Sequence, residues 1–202
     1  MVGSAGTKDK PVSCKVTRLA SRSVNGEVII LTGPPGAGKT TVAELLAIGA
    51  SVPTVHLRTD LFYRSIRAGF VQPFLPQAQQ QNEVVIEAIV AAVVTFARGG
   101  YDVVVDGIVG PWFLPQFRAA SERDHLAMCY VVLRPGLPIT LSRATQRRGS
   151  ELRDVDAITG LHAAFAQLGD LEDHAIDTGN LDAEQTAAEV RRLLASGKYR
   201  LR

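Results

Sequence analysis

The run Gly33-Pro34-Pro35-Gly36-Ala37-Gly38-Lys39-Thr40-Thr41 constrains this chain more than any other stretch. Gly33, Gly38, Lys39 and Thr40 keep the spacing of a phosphate-binding loop, glycine, four residues, then Gly-Lys-Ser/Thr. The flanks agree with it. Val28-Ile29-Ile30-Leu31 is a short apolar run of the kind that forms a buried strand. Val42, Leu45 and Leu46 then recur at helical spacing. A strand, a glycine loop and a helix turn successive backbone N–H groups into one concavity, and the helix adds the positive end of its dipole. Gly33, Gly36 and Gly38 allow that backbone to bend and to approach a ligand without a Cβ in the way. Lys39 then reaches the β- and γ-phosphates of a nucleoside triphosphate, and the Thr40 hydroxyl is placed to ligate Mg²⁺.

The loop needs a fold around it, and the remaining pattern predicts one. Second, third, fourth and fifth strands are expected over 52–57, 101–106, 126–133 and 175–178. Three consecutive valines, Val103 to Val105, mark a strand covered on both faces. Helices are expected over 39–48, 61–67, 82–98, from about 111 to 123, and over 138–148, 154–168 and 182–195. In the long helix Val85, Ile86, Ile89, Val90, Val93 and Val94 repeat at i, i+3, i+4, and Gly99-Gly100 closes it. Asp182 with Gln185 has the form of a capping box. Strands and helices alternate throughout, which predicts a three-layer α/β fold around a parallel sheet. Residues 1–25, rich in Ser, Gly, Lys and Arg, read as a flexible N-terminal arm, and 26–202 as one domain.

Composition enters as an exclusion. A net charge of +2 in 202 residues argues against nucleic acid or an anionic membrane as partner. Cys14 and Cys129 are far apart and give neither a disulfide framework nor zinc spacing. The apolar run 84–97 is interrupted by Glu87 and reads as too short to span a bilayer. No secretion signal opens the chain, so a cytoplasmic location is expected. His56, His125, His162 and His174 show no ligand spacing and are read as ordinary surface or core histidines, and Cys129 as an inert core thiol.

Four landmarks together resemble a known group: the glycine loop, Asp60 just past the second strand, Asp106-Gly107 ending the third, and an arginine-bearing helix with a polar break before the last strand. The small P-loop kinases share this plan. They include nucleoside monophosphate and shikimate kinases, chloramphenicol phosphotransferase, zeta-toxin-like kinases and tunicamycin-resistance-type proteins. The resemblance spans roughly residues 27–195. It implies a five-stranded sheet of order 2-3-1-4-5, ATP and Mg²⁺ as cofactors, a small helical lid near 143–155, and transfer of the γ-phosphoryl group to a hydroxyl or phosphate of a small-molecule acceptor. No obligatory protein partner is evident.

The resemblance also carries residue roles. Asp60 takes the place of an acceptor-facing aspartate, where a carboxylate can orient the hydroxyl, accept its proton, or hold Mg²⁺ through water. Thr59 or Asp60 could equally be a helix N-cap. Asp106 takes the place of a carboxylate that holds Mg²⁺ directly or through water, with Gly107 letting the chain turn under the substrate. Arg143, Arg147 and Arg148, with Arg153 more distantly, lie where lid arginines meet the transferred phosphoryl group. Phe62, Tyr63, Phe70, Trp112 and Phe113, with Arg64 or Arg67, are candidates to wall the acceptor pocket. The aromatics suit a partly apolar acceptor and the arginines an anionic one. Residues 177–181 precede the last helix where the family closes over the adenine. A nucleotide-dependent switch or slow NTPase acting on a protein partner is the alternative, although no Asn-Lys-x-Asp follows a late strand.

Overall fold

A computed structural model describes residues 25–146 and 152–201. All but the last residue of the expected arm, and 147–151 of the expected lid, lie outside the described residues. Five strands, β1 (Val28–Thr32), β2 (Thr54–Arg58), β3 (Asp102–Asp106), β4 (Met128–Leu133) and β5 (Ala175–Ile176), form one parallel sheet of order β2-β3-β1-β4-β5. The helices are α1 (Lys39–Ile48), α2 (Thr59–Arg64), α3 (Gln79–Arg98), α4 (Leu114–Asp124), α5 (Leu137–Thr145), α6 (Val155–Ala164) and α7 (Ala183–Ala195).

The period of two along each strand sorts its residues between two cores. Val28 and Ile30, with Val103, Val105 and Tyr130, face α3 and α4 and pack with Ile86, Ile89, Val93 and Phe117. Leu31, Val104, Val131 and Leu133 face α1 and α7 and pack with Val42, Leu46, Ala187 and Val190. Fully burying one such side chain is worth about 1.5–3 kcal/mol, so these layers hold the central strands firmly.

The register sets the level of the chemistry. Leu31 on β1 and Arg58 on β2 both pair with Asp106 on β3, so the carboxyl ends of three strands lie side by side. The glycine loop, the β2–α2 junction and the segment after β3 all leave the sheet on that edge, where ligands bind in open α/β sheets.

Boundaries differ from expectation where side chains intercept the ladder. β2 begins at Thr54 because the Thr54 hydroxyl donates to Val52 O at 2.9 Å and Pro53 lies before the strand. β4 begins at Met128 because Ser121 Oγ donates to Leu126 O at 2.6 Å and Leu126 N to Ser121 O at 3.0 Å, tying Leu126 to the end of α4. β5 is only two residues long, and Asp177 Oδ1 then accepts from Gly179 N at 2.9 Å to begin a turn. The open half of β4 is taken instead by the C-terminal segment. Tyr130 N donates to Tyr199 O, and Leu201 N to Met128 O, each at 2.9 Å.

α3 starts three residues earlier than the periodicity indicates, fed by a 3₁₀ turn at Pro76–Ala78. With that turn the helical segment is 23 residues, long and apolar enough by length and composition to cross a bilayer, which corrects the shorter reading of 84–97. Its buried stripe, Val85 to Ala97, packs on the sheet. The Asp182–Gln185 capping box at α7 is present in full, and Asp154 caps α6 by accepting from Ala157 N at 2.8 Å.

Candidate active site

Gly33, Gly36 and Gly38 all have positive φ, at 140°, 87° and 89°. At Gly33 and Gly36 space forbids a side chain as well. A Cβ on Gly33 would stand 2.1 Å from Leu133 O, and one on Gly36 2.4 Å from Thr140 O. A Cβ on Gly38 would meet nothing within 4 Å, so that position faces open space at the start of α1. The loop is therefore packed from behind by β4 and α5 and open in front. Residues 33–37 are buried, while Thr40 and Thr41 are exposed on the first turn of α1. Lys39 is buried, and its Nζ donates to Gly33 O and Pro34 O, each at 2.9 Å. The ammonium thus rests inside the curve of its own loop, on carbonyls that a phosphate can replace.

Asp106 is 4% exposed, a buried carboxylate at the end of a central strand. His56 Nε2 stands 3.4 Å from its Oδ2, and His56 Nδ1 stands 2.9 Å from Glu44 Oε2 on α1. This chain links the helix after the glycine loop to Asp106 through β2. His56, expected to be an ordinary surface or core histidine, thus has a carboxylate at each ring nitrogen. The signal was present in the alternation Thr54, His56, Arg58, a polar face along an edge strand. Two other histidines meet backbone carbonyls. His162 Nε2 lies 3.0 Å from Pro135 O, and His174 Nδ1 lies 2.8 Å from Tyr130 O.

Gly107 follows β3 without a positive φ. Its smallness serves contact instead, since a Cβ there would fall 1.8 Å from Thr59 Oγ1. This close approach brings the start of α2, with Asp60, against the end of β3. Beyond it, Val109 N donates to Thr32 Oγ1 and Tyr130 Oη donates to Val109 O, both at 2.9 Å. The segment after β3 is thereby pinned beside the entry to the glycine loop.

Asp60 lies in the first turn of α2, whose N-cap is Arg58 without a side-chain cap bond, so neither Thr59 nor Asp60 is the cap. The Asp60 side chain is 49% exposed, with Arg58 Nη2 at 3.1 Å and Arg64 Nη1 at 3.9 Å from its Oδ2. Arg143 is exposed on the last turn of α5, the helix whose backbone packs behind Gly36. Arg147 and Arg148 lie outside the described residues. Thr178 Oγ1, in the segment expected to close over the base, is buried and lacks a hydrogen-bond partner.

The aromatics divide. Phe62 and Tyr63 pack against the core, and burial pushes the Tyr63 phenol up to about 12. Phe70 is exposed. Trp112 and Phe113 instead line a cleft of about 430 Å³ between the N-terminal ends of α3 and α4, with Phe74 and Leu75 opposite. Phe74, Leu75, Asn82 and Gln116 were not anticipated, because the residues that line this cleft are far apart in sequence. Trp112 lies across Gly110, where a Cβ would meet its ring at 2.3 Å, and packs edge-on to Phe113 with centroids 5.9 Å apart. Cys129 is the inert thiol expected, since burial, reinforced by the Glu27 carboxylate, pushes it up to about 12.

A five-stranded 2-3-1-4-5 sheet carrying this loop between β1 and α1 is the fold of the small P-loop kinases. The family profile described as chloramphenicol phosphotransferase-like protein matches residues 26–195, and the chain belongs to that family. An adenylate kinase of Helicobacter pylori (strain G27) is 27% identical over 128 residues, covering 60% of this chain. The chain spans 64% of the length of that relative. Among solved structures, the Deinococcus radiodurans tunicamycin resistance protein superposes with a TM-score of 0.64 at 17% identity, covering 84% of this chain and 95% of that one. The Mycobacterium tuberculosis APS kinase in complex with AMPPNP and APS gives a TM-score of 0.59 at 18% identity, covering 85% and 99%.

Proposed function

We propose that this chain transfers the γ-phosphoryl group of ATP to a hydroxyl or phosphate of a small molecule, with Mg²⁺ as the metal. The register carries the reading: the glycine loop and the buried Asp106 leave adjacent strands at one level, Leu31 opposite Asp106. A triphosphate and its metal need this pair of features together. The relatives support it, since one is an adenylate kinase and an APS kinase is solved with AMPPNP.

The residues take these parts. The N–H groups from Gly36 to Thr40 cradle the phosphates, and Lys39 exchanges its two loop carbonyls for phosphate oxygens. The Thr40 hydroxyl and the Asp106 carboxylate are hard oxygen donors of the kind Mg²⁺ takes, few enough to leave room for phosphate and water, so they fit that ion. When bound, Mg²⁺ would neutralise charge on the β- and γ-phosphates. The Glu44–His56 pair holds Asp106 in place from the side of α1. Asp60, positioned by Arg58, receives the acceptor's proton as the new P–O bond forms and the bond to ADP breaks. Arg143 spreads positive charge over the phosphoryl oxygens.

The test compares the wild-type chain with Asp60→Asn. ATP affinity is read by calorimetry and transfer by ADP release against a panel of hydroxylated acceptors. Normal ATP binding with poor transfer supports the proposal. Lost ATP binding would make Asp60 a metal or structural residue, and full transfer would remove it from the reaction.

A further inference from the structure

The cleft between α3 and α4 has a chemistry of its own. Its walls are apolar, from the exposed Phe74, Leu75 and Trp112 and the half-buried Phe113. Its volume of about 430 Å³ is that of a small-molecule site. Its polar side chains are Gln79, Asn82, Glu83 and Gln116, and no Lys, Arg or His lines it among the described residues.

Two of these polar groups are unsatisfied. Asn82 Oδ1 and Gln116 Oε1 are buried and have no hydrogen-bond partner. Asn82 cannot simply be turned around, because its Nδ2 donates to Pro73 O at 2.8 Å and so directs the oxygen away. A buried acceptor without a donor is costly, and a ligand donor that reached it would recover that cost. Glu83 adds a full negative charge at the same rim.

The helix ends beside the cleft carry partial positive charge, which would favour an anion. Few of their donors remain to serve one, however. Pro76, Pro111 and Pro115 have no N–H. Leu75, Ala78 and Phe113 already donate, to Gln72 O, Leu75 O and Gly110 O. The side-chain acceptors therefore decide the sign.

We infer that this cleft binds a small organic amine, an apolar ring seated against Trp112 and Phe74 with its ammonium group donating to Asn82, Gln116 and Glu83. That the bound amine is also the phosphoryl acceptor rests on the proposed function; that it binds does not. An anionic acceptor of the shikimate or nucleotide type finds no cationic partner in this lining among the described residues.

Trp112 is the only tryptophan of the chain, so its fluorescence reports the cleft directly. The full chain is titrated without ATP with phenethylamine, its neutral N-acetyl derivative, and 3-phenylpropionate. Phenethylamine should give a saturable change at least roughly tenfold tighter than the carboxylate, with the acetamide between them. Gln116→Met keeps the volume and removes the acceptor, and should weaken the amine about 3- to 10-fold with an unchanged circular dichroism spectrum. Glu83→Gln should weaken the amine and leave the acetamide as it was. Equal or tighter binding of the carboxylate overturns the inference, and so does a flat response to the amine. ADP release is then measured with tyramine and phenylethanolamine as acceptors. Binding without transfer to either would unseat the acceptor role and leave the amine site standing; transfer without a fluorescence response would do the reverse.

Discussion

The two sides of this site are built differently. On the proposed nucleotide side a ligand would be met by backbone. Residues 33–37 are buried, three glycines hold positive φ, and β4 and α5 close the loop from behind at Gly33 and Gly36. On the proposed acceptor side a ligand would be met by side chains. Phe74, Leu75 and Trp112 are exposed, and Asp60 is half-exposed in the first turn of a six-residue helix. Phosphate is the same in every substrate of a kinase, so a rigid backbone cradle serves it without adjustment. Acceptors differ, and a surface of side chains on α2, on the connection to α3 and on the segment after β3 can change without disturbing the sheet.

That contrast can be broken most sharply at the loop. Lys39→Ala should reduce transfer by on the order of 10²–10³ or more, the scale of a lost transition-state donor, while the thermal midpoint stays near that of the wild type. Unchanged turnover would remove the loop from the chemistry. Gly36→Ala should fail for a different reason, strain and collision with Thr140 O, and should lower the melting temperature as well as activity. A stable, active Gly36→Ala chain would show that the loop is less rigid than its packing indicates.

Asp60→Asn tests the other side. Removing a positioned base costs on the order of 10²–10⁴ in rate, and ATP affinity should hardly move. His56→Ala should be milder: it frees Asp106 without deleting it, so the loss should grow as Mg²⁺ becomes limiting. A loss independent of Mg²⁺ would assign His56 to folding alone. Gly110→Ala should displace the Trp112 ring and raise the acceptor KM several-fold with KM for ATP unchanged. Equal shifts in both would mean that the two sides are not separable.

The smallest effect concerns pH. Cys129 and Tyr63 are both pushed up to about 12 by burial. The folded chain therefore keeps protons that the unfolded chain releases, and stability should fall as pH rises from about 9 towards 12. Urea midpoints across that range should show the decline, and Cys129→Ala should make it shallower. A flat profile would contradict the buried state of the thiol.

The nucleotide side was legible because its information is local. Gly33 to Thr41 are consecutive, and the strand and helix that frame them follow from the residues on either side. The valines of β3 and the stripe of α3 were legible for the same reason: period and composition mark burial without reference to any partner. The order of the sheet came from the resemblance those motifs carry. The element ends were not legible, because Thr54, Ser121 and Asp177 stop or delay strands through single side-chain hydrogen bonds.

What only the tertiary structure decided lies where distant segments meet. Gly107 looks like a turn residue in the sequence, and packing against Thr59, almost fifty positions away, shows why a side chain cannot stand there. His56 is one of four scattered histidines until β2 lies beside β3 and places it between Glu44 and Asp106. Asn82 and Gln116 are ordinary helix-surface amides until α3 and α4 pack side by side and bring both residues to one cleft. A motif of neighbouring residues fixes its geometry through the short chain between them. A site assembled across long loops acquires its geometry only from the packing that brings its parts together.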